Sequence, residues 1–185
     1  MTNLSRLDLM RDTAKSLPVP LDASRVTHLR VWHCKYSSLA GLSRFSNLQE
    51  LVIATYPDAT FDALAGLAAL RVLHIVHLPK ITDLRPLQTL KKLQSLSLAT
   101  LPSWDASRKR LTISGLEPLA ALVGLQHVEL LGVITADKSL AALEGCRALV
   151  SARLHGYPTS EVQRFFEATR VANAFNPPTT FASRS

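Results

Sequence analysis

The chain has 185 residues, 47% of them apolar and 19% charged, with a formal net charge of +7. That balance excludes the disordered class, and no apolar run approaches the roughly 18 residues a bilayer-spanning helix needs. The cationic surplus is spread along the chain, densest at Lys91-Lys92 and Arg108-Lys109-Arg110, and it favours acidic partners without naming one.

The first twenty residues carry Arg6, Asp8, Arg11, Asp12 and Lys15 and no apolar stretch suited to a signal peptide. Taken as the true N-terminus, this segment predicts a cytoplasmic protein. It also opens a repeat. An apolar residue followed three later by a second and two later by a third recurs as Leu4-Leu7-Leu9, Val26-Leu29-Val31, Leu48-Leu51-Ile53, Leu70-Leu73-Ile75, Leu93-Leu96-Leu98, Leu125-Val128-Leu130 and Leu149-Ala152-Leu154. The sets start 22, 22, 22, 23, 32 and 24 residues apart. A fixed period of this length predicts a solenoid, in which no unit buries its apolar edge alone and stacking makes the core.

Within each set the two-residue step predicts a short strand with one buried face. After the strand the apolar spacing becomes three, as in Phe61-Leu64-Leu67 and Ile81-Leu84-Leu87-Leu90. A strict period of three predicts 3₁₀-like or irregular return segments rather than α-helices, whose period is 3.6. Proline recurs where the chain leaves a strand, at Pro57, Pro79, Pro102 and Pro158. Its missing amide and fixed φ suit that exit. Cys34 and Cys146 fall four or more strands apart, roughly 20 Å. That is well beyond the ~7 Å limit for bridged Cα atoms. Both are read as small buried residues of a reducing compartment.

The segment Ile81-Thr82-Asp83-Leu84-Arg85-Pro86-Leu87, followed by Leu90, Leu93, Leu96 and Leu98, closely resembles the consensus of the short, 22-residue leucine-rich repeats of internalin-like proteins. The resemblance runs from about Leu4 to Tyr157. It implies an α/β solenoid, curved and right-handed, with about seven parallel strands on the concave face, a 3₁₀ or irregular convex side, and protein binding on the concave sheet. One feature departs from the family. Its asparagine three residues after the last strand leucine is replaced by Asp12, Cys34, Tyr56, Leu78, Leu101, Val133 and Tyr157, so apolar packing is expected to fill that turn.

The expected organisation is one domain over 1–174, with a divergent first repeat or cap at 1–25 and a flexible tail at 175–185. A capping helix is predicted over 160–172, with Ser160 as N-cap and Val162, Phe165 and Phe166 on one face. The long fifth interval holds about nine extra residues, 103–111, expected as a loop bearing Trp104, Arg108, Lys109 and Arg110.

The register assigns three outward rows to the sheet. The first is Arg6, His28, Glu50, Val72, Ser95, His127, Ser151. The middle is Asp8, Arg30, Val52, His74, Ser97, Glu129, Arg153. The last is Met10, Trp32, Ala54, Val76, Ala99, Leu131, His155. The last row is mostly apolar, and an exposed apolar stripe rimmed by polar groups marks an interface. Trp32 is its anchor candidate. Partner-binding residues are therefore expected among Arg30, Trp32, Val52, His74, Val76, Ser97, His127, Glu129, Leu131, Arg153 and His155. In the middle row Asp8 should pair with Arg30 and Glu129 with Arg153.

His74, Ser97, His127 and Glu129 sit on neighbouring strands but lack a strained nucleophile turn or catalytic motif, so no enzyme is predicted. His74 and His127 stand about two strands, roughly 10 Å, apart. That is too far to share an ion, and neither metal nor cofactor is expected. The expected function is a non-enzymatic module gripping another protein, of an inhibitor, immunity or regulatory kind, as a monomer or weak homo-oligomer without membrane contact. Nucleic acid is disfavoured. The alternative is an RNA- or phosphate-binding module using 103–111.

Overall fold

The computed structural model describes residues 5–107 and 109–178. Leu4, Arg108 and 179–185 lie outside the described residues, and with them one predicted core leucine, one predicted insertion cation and most of the predicted tail.

Seven five-residue strands form one parallel sheet: β1 (Arg6–Met10), β2 (His28–Trp32), β3 (Glu50–Ala54), β4 (Val72–Val76), β5 (Ser95–Ala99), β7 (His127–Leu131) and β9 (Ser151–His155). Each pairs in register with the next. Asp8, Arg30, Val52, His74, Ser97, Glu129 and Arg153 are successive partners, as the 22-residue beat requires. The alternate residues of every strand point the other way, into the core. Leu29, Leu51, Leu73, Leu96 and Val128 stack as one wholly buried column. Burying each such side chain contributes about 1.5–3 kcal/mol. Leu7 and Leu9 are only half-buried because β1 is an edge strand.

The return segments carry the period of three. Residues Ala23–Arg25, Ala40–Arg44, Asp62–Leu64, Arg85–Thr89 and Ala141–Gly145 are 3₁₀ turns, while α2 (Glu117–Ala120) is a single α-turn. Leu42, Leu64, Leu87, Leu119 and Leu143 point inward from them and close the core from the convex side.

Three expectations are corrected. The insertion is not a plain loop. It forms α1 (Pro102–Ala106) and then β6 (Leu111–Ile113), which pairs with β8 (Val133–Thr135) as a separate two-stranded parallel sheet. Leu111, Ile113 and Val133 are buried, so the extra residues buy a small second ladder rather than a solvated excursion. The terminal helix α3 spans Thr159–Thr169, with Pro158 rather than Ser160 in the N-cap position. Proline's fixed φ and absent amide suit the entry to a helix. The sheet has an eighth strand, β10 (Ala172–Asn173), alongside Ser151 and Ala152 of β9. It forms because Arg170 turns left-handed (φ 59°) at the end of α3 and sends the chain back to the sheet edge.

The turn after each strand also differs from the asparagine pattern. Arg11, His33, Thr55, His77, Gly132 and Gly156, each directly following a strand, have positive φ between 53° and 109°. The amides of Arg11, Thr55, His77 and Gly132 extend the ladder by one rung: Thr55 N–H donates to Val76 O at 2.7 Å and His77 N–H to Ala99 O at 2.7 Å. Backbone donors thus link neighbouring turns where the family uses an asparagine side chain. Tyr56 and Leu78, at the asparagine positions, fill the space beneath as buried side chains.

Candidate interaction surface

The three outward rows share one face but not one environment. In the middle row Arg30 and Arg153 flank short or acidic neighbours. Arg30 Nε donates to Asp8 Oδ1 at 2.9 Å, and its Nη2 contacts Asp8 Oδ2. Arg153 Nη1 donates to Glu129 Oε1 at 3.0 Å. The other Glu129 oxygen accepts from the Ser97 hydroxyl at 2.6 Å. Glu129 and Ser97 are buried, so this carboxylate is fully engaged by a cation and a hydroxyl, as burial of a charge demands. Val52, between Arg30 and His74, is buried as well, and it contributes packing rather than accessible surface.

His74 lies between Val52 and Ser97. Burial pushes its pKa below the ordinary value, partly offset by the nearby Glu129 charge. His127 is buried in the first row, shares a 2.8 Å hydrogen bond with the Ser151 hydroxyl, and is likewise held toward its neutral form by burial. The predicted juxtaposition of His74, Ser97, His127 and Glu129 does not assemble into a relay. Ser97 spends its proton on Glu129 and His127 bonds Ser151 instead.

The last row is apolar but uneven. Ala54 and Ala99 are buried, correcting their expected place in an exposed stripe: methyl side chains cannot project past their larger neighbours. Trp32, Val76 and Leu131 are half-buried, and Met10 and His155 are exposed. Trp32 meets the His33 ring edge-on at 5.4 Å. Thr100, Pro102, Leu131 and His155 line a hollow of about 310 Å³ beside α1. The accessible apolar surface is therefore two clusters, one around Met10 and Trp32 and one around Val76, Leu131 and Pro102.

The insertion residues are spent differently from expectation. Trp104 packs edge-on against His77 at 5.4 Å, anchoring α1 to the solenoid. Burial in that contact lowers the His77 pKa. Arg110 Nη1 donates to the Lys109 carbonyl at 3.0 Å, while Lys109 is exposed. A larger hollow of about 720 Å³ lies on the convex side between Thr82–Gln88 and Ser114–Pro118. Its Asp83 and Arg85 pair at 2.7 Å, and the Glu117 carboxylate also lines it. Among the described residues no His, Cys, Asp or Glu cluster could hold a metal. Cys34 and Cys146 are both free, and burial pushes the Cys146 thiol up to about 11. No helix among the described residues is long and apolar enough to cross a membrane.

Sequence reasoning placed all three rows but overlooked Ser151, Glu50 and Ser95 as candidates. Their register was readable; their burial was not.

With this geometry in view, known proteins supply a frame. An internalin C2 from Listeria monocytogenes superposes with a TM-score of 0.62 at 21% identity, over 80% of this chain and 60% of that one. An internalin F from the same organism superposes with a TM-score of 0.50 at 19% identity, over 82% of this chain and 48% of that one. The chain has the leucine-rich-repeat fold. It spans between about half and three fifths of the length of these structures. No family model matches the sequence, and neither does any curated protein.

Proposed function

We propose that the chain is a non-enzymatic interaction module that holds a partner protein across its concave sheet. One observation carries this reading. Trp32, Val76 and Leu131 remain accessible on a face that the core does not need, with Arg30, Arg153 and His155 around them. Aromatic and arginine side chains dominate interface energies, and polar rims set orientation. Arg30 and Arg153 are already held by acidic neighbours, so a partner meets them pre-oriented and loses little side-chain entropy. The finer proposal is a cytoplasmic inhibitor, immunity-type or regulatory protein, which two free cysteines fit.

The alternative, RNA or phosphate binding by 103–111, rests on the basic residues of that segment alone. Trp104, beside the cations of that segment, packs on His77 instead of standing free for a ligand. Salt separates the two: nucleic-acid affinity falls steeply with ionic strength, whereas an apolar concave interface is far less sensitive.

The direct test is affinity co-purification from the native host with the wild type and with Trp32→Ala/Val76→Asp. The expected result is a protein recovered by the wild type and lost, by ten-fold or more, with the variant. Equal recovery by both removes the concave face from the reading. Recovery of nucleic acid alone, lost at moderate salt, favours the alternative.

A further inference from the structure

The first row of the concave sheet points away from the core, yet it is not open to solvent. Glu50, Ser95, His127 and Ser151 are only 5, 2, 8 and 2% exposed. Part of the cover is the chain itself. After β10, Ala174 N–H donates to Ala172 O at 2.9 Å and turns the chain away from the sheet edge. The Asn176 amide then approaches the Ser151 hydroxyl at 3.4 Å. Two residues on, Pro178 lines a groove of about 170 Å³ whose other walls include His28, Glu50, Val72, Ser95 and His127. Those residues belong to β2, β3, β4, β5 and β7, so the groove crosses the strands rather than following one.

The chemistry of the arm fits that path. Pro177 and Pro178 have no amide to donate and favour an extended backbone, so the arm cannot add to a ladder and instead lies across strand ends. The groove offers side chains rather than strand edges: the half-buried Val72, the imidazoles of His28 and His127, and the charged Glu50 and Arg71 all line it. A further seven residues, 179–185, follow Pro178 in the sequence.

We propose that the arm formed by 175–178 is a resident cover of the first row, with Pro178 walling one side of the groove, so that a partner reaching that row must displace it. The proposal rests on the concave-face reading only for what the arm excludes; docking of the arm stands on its own contacts. Tethering gives the arm an effective concentration on the order of millimolar. A free peptide of the same sequence, binding with similar intrinsic strength, therefore competes poorly with it.

The test uses the full chain with a specific protease site placed after Ala174, cut only after folding, and a labelled peptide of sequence 174–185 as the probe. In the uncut chain the peptide is expected to bind at least ten-fold more weakly than in the cut chain freed of its arm. The His28 and His127 imidazole proton resonances should shift on cutting and return when peptide is added. A second, uncut variant, Pro177→Gly/Pro178→Gly, should move the same resonances toward their cut positions, and it leaves the core untouched. Equal peptide affinity before and after the cut, or His28 and His127 resonances indifferent to both changes, overturns the proposal. Because the assay needs no partner, arm docking without partner capture, or capture without docking, tells the failure of this inference from the failure of the proposed function.

Discussion

At the scale of single residues, the beat placed the rows but not the backbone that ends them. The register of all seven main strands followed from leucine spacing alone. The row of left-handed residues after the strands did not, because it is written as Arg11, His33, Thr55, His77, Gly132 and Gly156. Only two of these are glycine, so no composition signal marks the position. Gly132 is the tighter of the two. Its φ is 71°, and a Cβ built there would lie 2.2 Å from Thr100 Oγ1. Thr100 is itself fixed, its amide and hydroxyl both donating to Leu131 O. Gly132→Ala is expected to cost about 2 kcal/mol from the left-handed backbone alone, and more from the overlap. Urea unfolding should show it as a lowered midpoint. The double variant with Thr100→Ala should recover the steric part and leave the backbone part.

At the scale of elements, repeats are joined by carboxylates as well as by packing. Asp58 accepts from the Leu39 amide at 2.8 Å and Glu161 from the Leu140 amide at 2.7 Å, each reaching back one repeat to the start of a 3₁₀ turn. Glu161 does this from the first turn of α3 while Arg164 donates to both its oxygens, at 2.7 and 2.8 Å. Arg164 also bonds Glu144 at 2.7 Å. These bonds, with Arg164 first, hold the Glu161 carboxyl down to about 2. A carboxylate whose folded pKa is depressed stabilises the fold above its ordinary pKa and loses that contribution as pH falls. The attachment of α3 should therefore weaken between about pH 4.5 and 2. The gain is modest because the partner Arg164 is exposed and solvent screens the pair. Glu161→Gln should bring the pH 7 stability close to the wild-type acid value and flatten the acid limb of an unfolding curve followed by circular dichroism. That α3 would exist was legible in Val162, Phe165 and Phe166. That its first turn would clamp the preceding repeat was not, because the contact joins residues 21 apart and depends on where Pro158 releases the chain.

At the scale of the whole molecule, stacking one strand per repeat gathers side chains distant in sequence onto one face, and three histidines there or at its rim share a fate. His74 meets Val52, Ser97 and the Glu129 charge. His127 meets Ser95 and, through a hydrogen bond, Ser151. His77 meets Trp104. Burial lowers the pKa of each, and only His74 has an acidic charge opposing the shift. The unfolded chain, with ordinary imidazoles near 6.5, takes up protons first as pH falls. Stability is therefore complete above about pH 7 and declines as pH drops from 6.5 toward the folded-state values. Melting temperatures measured from pH 8 to 5 should fall on the acid side well before Glu161 is reached. Replacing His74, His77 and His127 together by Gln should flatten that decline. An unchanged slope would mean the acid sensitivity resides elsewhere. The same protonation puts positive charge into a face where Glu129 is already satisfied by Arg153 and Ser97, so a partner held there should dissociate faster at pH 5.5 than at 7.5. Surface plasmon resonance at the two pH values would read that difference directly, and His74→Gln should diminish it if the partner covers the middle row.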